Sequence, residues 1–245
     1  MLPGVRFRDN PVFDTGEYRV VIRSVPLAMN LLDGNLARDE KWKKVTQVLE
    51  KAARRAAPEL YDSQDAYFAL GKEARTGSKE AASVRANAGA LALFTRALQS
   101  LLSEEVPIVD LRAIVAEFHR CRSLGLGLTA AIEEIRALPA IGRRLPGNSP
   151  AVALVRALDT DLEERVSDAI RQKTQGPAWK ASLSLRRQLR QLALNFAASG
   201  RGKPVTLITG AEVRPFVARL VRQQDCSVNV LSQREALPAL LARIQ

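Results

Sequence analysis

Three pairs of adjacent glutamates, Glu104-Glu105, Glu133-Glu134 and Glu163-Glu164, are the residues best suited to acid–base or metal chemistry. General acid–base catalysis needs two groups converging on one reacting atom, and adjacent positions on a helix point to different faces. These pairs therefore build neither a catalytic dyad nor a metal cage. His119 is the single histidine, at a helix end, with no serine, cysteine or carboxylate constellation to complete a triad. The segment SGRGKPVTLITG places Gly200, Gly202 and Lys203 ahead of an apolar run, whereas a phosphate loop follows a strand and opens a helix. The GLGL of residues 125–128 follows no credible strand either, so no dinucleotide site is expected. Cys121 and Cys226 lie far apart and flank no turn cluster, which signals neither a disulfide nor a metal and fits a reducing cytoplasm. The chain reads as a non-enzyme with no catalytic, cofactor-binding or metal-binding residue.

The elements around these residues are mostly helical. In FTRALQSLLSEEVPIVDLRAIVAEF, Leu91, Phe94, Leu98, Leu101 and Leu102 fall at helical spacing, with Arg96, Gln99 and Ser103 opposite. Pro107 stops that helix and Asp110 caps a second one bearing Leu111, Ile114, Val115 and Phe118. The short connection predicts that the two are packed neighbours. Residues 5–10 and Tyr18–Ile22 read as strands joined by a turn. A helix starts near Asp39, Pro58 can open a further turn, and Tyr61, Tyr67 and Phe68 read as core anchors. The Gly71–Gly89 stretch, rich in small and polar residues, reads as a poorly packed connection. Further helices follow at 128–138, from Asp159 or Thr160, at 183–198, at 213–222 and at 234–244, with strands at 152–158, 205–209 and 228–231. That alternation predicts a small α/β sandwich with adjacent, parallel strands.

The order of residues resembles a known family in three places. "LLSEEVPIVDLRAIVAEF" is similar to the helix-loop-helix of the FHIPEP family, the SctV- and FlhA-like export-gate proteins of virulence and flagellar type III secretion. "LPGVRFRDN…EYRVVIRSVPLA" resembles the start of that family's first cytoplasmic subdomain, with a slight lean to the injectisome branch. "PVTLITGAEVRPFVARLVRQQDCSVNVLSQREA" resembles its final unit. The resemblance covers nearly all of the chain except about residues 30–44 and 72–89, where family members carry a further small subdomain near the first gap. It implies an α+β, mostly helical protein of several subdomains. These would be an N-terminal α/β subdomain with a small sheet (1–76), a central helical subdomain (77–145) and a C-terminal α/β sandwich (146–245). It implies the cytoplasmic domain of an export gate, a homo-oligomeric ring that is nonameric in the family, which docks export chaperones, secreted substrates, a gatekeeper and the ATPase stalk protein. In the family, the subdomain shortened here helps form the groove where export chaperones dock. Contact roles fall by resemblance on Glu104, Val106, Ile108, Asp110, Arg112, Arg214 and Arg219.

No run approaches the roughly 20 apolar residues that cross a bilayer, and no signal peptide is evident at the start. The chain is expected to be cytoplasmic, and in the family such a domain is tethered by an N-terminal membrane domain. The formal net charge is +11. Lys180, Arg186, Arg187, Arg190, Arg201, Lys203, Arg214, Arg219 and Arg222 fall in a region whose only acid is Glu212. Arg186, Arg187, Arg190 and Arg222 form the expected basic face, suited to acidic proteins or anionic surfaces. The alternative function is a basic nucleic-acid-binding scaffold, although few aromatics are interleaved with the arginines and no nucleic-acid-binding signature is present.

Overall fold

The computed structural model describes residues 16–22, 25–33, 35–171, 183–222 and 228–244. The expected strand at 5–10, Lys180 and Cys226 lie outside them. The chain divides into two compact units, residues 1–105 and 106–245.

The first unit opens with β1 (Glu17–Ile22) and β2 (Val25–Leu31), antiparallel, with Glu17 opposite Leu31 and an irregularity between Val20 and Val21. Four helices follow: α1 (Arg38–Leu60), α2 (Ser63–Arg75), α3 (Lys79–Ala86) and α4 (Ala88–Ser103). Small side chains dominate the helix contacts, with Ala52, Ala56, Ala66, Ala81, Ala90 and Ala97 buried beside Leu70, Phe94, Leu98 and Leu101. Alanine at these positions lets helices approach closely, and the few large residues fill what remains.

Three readings change here. Residues 79–86 are a helix, not a poorly packed connection. Ser78 Oγ accepts from Ala81 N at 3.2 Å, Asn87 Oδ1 accepts from Ala90 N at 2.8 Å to open α4, and Ala81 and Val84 are buried. The polar composition belongs to the caps and the solvent face. Pro58 lies inside the last turn of α1, and the next helix opens instead at Asp62. Its Oδ1 accepts from Gln64 N at 2.9 Å and Asp65 N at 3.1 Å, while Asp65 accepts from Asp62 N at 3.1 Å. Tyr67 and Phe68 are 39% and 58% exposed, because the inward stripe of α2 runs through Ala66 and Leu70. Tyr67 is held edge-on to Phe68 and lies under the Arg85 guanidinium, 4.1 Å from its ring centre.

The second unit begins with α5 (Leu111–Ser123) and α6 (Leu128–Arg136), which pack together. The two helices read as one hairpin thus belong to different units, with α4 packed on α1, α2 and α3. The boundary between these units falls inside the expected central subdomain, 77–145. Next come α7 (Pro139–Gly142), a 3₁₀ turn (Pro146–Asn148), β3 (Leu154–Ala157), α8 (Thr160–Arg171), α9 (Leu183–Ser199), β4 (Val205–Thr209), α10 (Arg214–Arg222), β5 (Val228–Ser232) and α11 (Pro238–Leu241). The sheet runs β3-β4-β5, all parallel, with Leu154 beside Val205 and Val205 beside Val228. All five residues of β4 are buried, as a central strand covered on both faces requires. One face packs Leu162, Val166, Leu189, Val217 and Leu220 against Leu207 and Val230. The expected terminal helix at 234–244 shrinks to α11, since Pro238 resets the start, and Ile244 instead pairs with Val155 as a parallel bridge. The architecture is mostly helical α+β, with a small N-terminal sheet and a C-terminal α/β layer.

Candidate functional site

The expected contact residues separate into exposed and buried sets. Asp110 is exposed and caps α5, accepting from Ala113 N at 2.9 Å. Arg112, on the first turn of α5, is exposed, and Glu104 and Ile108 are half-buried. Val106 is 1% exposed, so its apolar side chain closes a core and presents nothing to a partner. On α9, Leu185, Leu189 and Ala193 are buried while Arg187 and Arg190 are exposed and Arg186 is half-buried. On α10, Arg219 and Arg222 are exposed, with the Arg219 guanidinium 5.6 Å from the Phe216 ring centre. Neither helix carries a carboxylate. Residues 106–245 hold 21 of the 37 basic and 12 of the 26 acidic residues, so +9 of the +11 charge falls in this unit.

Arg214 departs most from expectation. It is fully buried and heads no surface. Its Nε donates to Glu133 Oε2 at 2.6 Å and its Nη2 contacts Glu133 Oε1, while Glu235 Oε2 lies 3.9 Å from its Nε. A guanidinium carries its charge at any accessible pH, so burying it demands a carboxylate. Glu235 in turn is bonded by Arg136 Nε and accepts from Ser232 N at 2.6 Å. Beside this cluster, Glu134 on α6 receives Arg234 through two hydrogen bonds, at 2.5 and 3.0 Å, and Arg120 at 3.5 Å. Burial pushes the Glu133 carboxyl above its ordinary value, against the Arg214 donation that lowers it. The Arg234 hydrogen bonds hold Glu134 below the usual carboxylate range, and Arg120 does the same for Glu117.

Sequence reasoning missed this cluster. Its members are separated by 81 and 99 positions. One local signal existed: Glu133 and Arg136 share the short α6 with buried Ala131, Ile132 and Ile135, leaving little of that helix to face water. Of the other carboxylate pairs, Glu163 accepts from Gly210 N at 2.6 Å beyond the end of β4, and a Cβ on Gly210 would collide with it. Glu163, Glu164 and Glu212 line an open cavity of about 390 Å³ there. Among the described residues no group of His, Cys, Asp and Glu could hold a metal ion. Gly200 and Gly202 form the turn from α9 into β4, a helix-to-strand connection. No helix among the described residues is long and apolar enough to cross a membrane.

A mostly helical chain that also carries a parallel three-stranded α/β layer is a class of fold shared with solved proteins. The Shigella flexneri MxiA protein superposes with a TM-score of 0.77 at 17% identity, over 100% of this chain and 87% of that one. The Chlamydia pneumoniae CdsV protein gives 0.75 at 19%, over 99% and 83%, and has also been solved as a complex with CdsO. The nonameric cytosolic domain of EscV, from a type III secretion system, gives 0.76 at 17%, over 98% and 84%. No curated protein matches the sequence. A family profile covers residues 32–240, and the chain belongs to the FHIPEP family.

Proposed function

We propose that this chain is the cytoplasmic domain of a type III secretion export gate, assembling into a ring that docks exported proteins and their regulators. The family match across residues 32–240 carries this reading. The nonameric EscV domain and the CdsV–CdsO complex support the ring and a partner protein. The named neighbours favour the injectisome branch over the flagellar one. The mechanism is selective docking and hand-over by exposed surfaces, with no bond made or broken: α5 offers Asp110 and Arg112, and α9 and α10 offer outward arginines. Chaperones, the gatekeeper, the ATPase stalk and membrane tethering belong to the same proposal.

Native mass spectrometry and electron microscopy of the purified chain, across a concentration series, test it. A closed ring of defined number supports the reading. A monomer at high concentration that binds no secretion chaperone or stalk protein overturns it.

A further inference from the structure

Helix α6 meets the C-terminal layer through three ion pairs of mixed polarity, α6 supplying the acid in two of them and the base in the third. Glu133 takes Arg214 from the start of α10, Glu134 takes Arg234, and Arg136 takes Glu235. The neighbours Arg234 and Glu235 therefore read α6 with opposite charges, so a shifted register would set like against like. The buried half of the pattern is enclosed, with side-chain exposures of 3% and 0% for Arg136 and Glu235. Asn148 braces the same point from the 3₁₀ turn: its Nδ2 donates to Gly142 O at 2.7 Å and Glu235 O at 2.8 Å, and its Oδ1 accepts from Leu237 N at 3.1 Å.

We infer that α6 is a charge-keyed clasp that fixes the α5–α6 pair to the parallel sheet, so that residues 111–136, 205–222 and 228–235 move as one rigid body. The clasp residues are positioning residues. Arg112 on α5 and Arg219 on α10 then keep a constant separation, and a partner spanning both meets a preformed surface with no ordering cost. The rigid body follows from the geometry alone; the docking role rests on the export-gate reading.

Hydrogen–deuterium exchange of the full chain across a urea series tests the clasp. The expected result is one shared midpoint for amides in 111–136, 205–222 and 228–232. Arg234→Glu alone sets like charges together and speeds exchange of α6 by about fivefold, the size of an exposed pair. Adding Glu134→Arg restores the rate to within about twofold, although Arg120 then faces Arg at 134. Glu235→Gln, which removes the buried charge opposite Arg136, exceeds tenfold; if it fails to fold, the exposed swap still decides. Separate midpoints in the unaltered chain, or a swap no better than Arg234→Glu, overturn the clasp. A shared midpoint in a chain that forms no ring leaves the clasp standing and removes the export-gate reading.

Discussion

Replacing Arg214 by Met isolates the energetics of the buried cluster. The side chain is 0% exposed and its donor lies 2.6 Å from Glu133. Methionine fills similar space but leaves Glu133 desolvated without its main counter-charge. Removing one partner of such a pair costs about 3–5 kcal/mol, whereas removing both in favour of apolar residues is often neutral or stabilising. At a urea dependence of about 2 kcal/mol per molar, the single substitution lowers the midpoint of this unit by about 1.5–2.5 M. Adding Glu133→Leu recovers most of that loss, limited by the Arg136–Glu235 pair that remains. Urea titration followed by exchange of β4 and β5 amides reads the effect on this unit alone. A midpoint moved by less than about 0.3 M, or a double variant no more stable than Arg214→Met, would refute the argument that burial makes each partner depend on the other.

Phe94→Ala should cost about 3–5 kcal/mol because its side chain is wholly enclosed. Phe68→Ser, at 58% exposure, should change stability by less than about 0.5 kcal/mol, and calorimetry separates the two. The acid response divides by sign. Glu134 and Glu117 have lowered values in the folded chain, so their contribution is complete above the unfolded value of about 4.3 and lost as pH falls through the folded one. Glu133, raised by burial, runs the other way, the unit gaining as pH falls through its folded value. Glu134→Gln should therefore flatten the decline in melting temperature between about pH 4.5 and 3, and an unchanged slope would contradict this assignment. Burial pushes the Cys121 thiol up to about 11, helped by the Glu117 carboxylate, so native protein at pH 8 should resist iodoacetamide there. Peptide mapping reads this site, and stoichiometric alkylation would contradict the enclosed position.

The apolar runs that became β4, α9 and α10 were legible because each is long or regular enough to fix its own period. Asp110 and Asp159 declared their caps, and Asp159 accepts from Leu162 N at 3.3 Å. Helix α3 was hidden because only Ala81 and Val84 in eight residues face inward, too few to establish a stripe. No local signal marks β2, and the size of Tyr67 and Phe68 suggests burial where the inward stripe of α2 leaves them exposed. Arg214, expected at a contact surface by resemblance, is buried. Whether an arginine faces water or a carboxylate 81 positions away depends on tertiary packing that local pattern does not encode.

The parallel layer also sets the order in which the polypeptide can acquire structure. Its edge and central strands, Leu154 and Val205, adjoin in space although about fifty residues separate them along the chain, and β5 comes later still. Closing such long loops is slow, whereas the helices before residue 105 form from nearby contacts. On a ribosome, the early helices can settle while β3 and Glu133 wait for partners not yet synthesised. Nascent chains halted shortly before Arg214 would then bind holding chaperones more strongly than chains halted beyond Glu235.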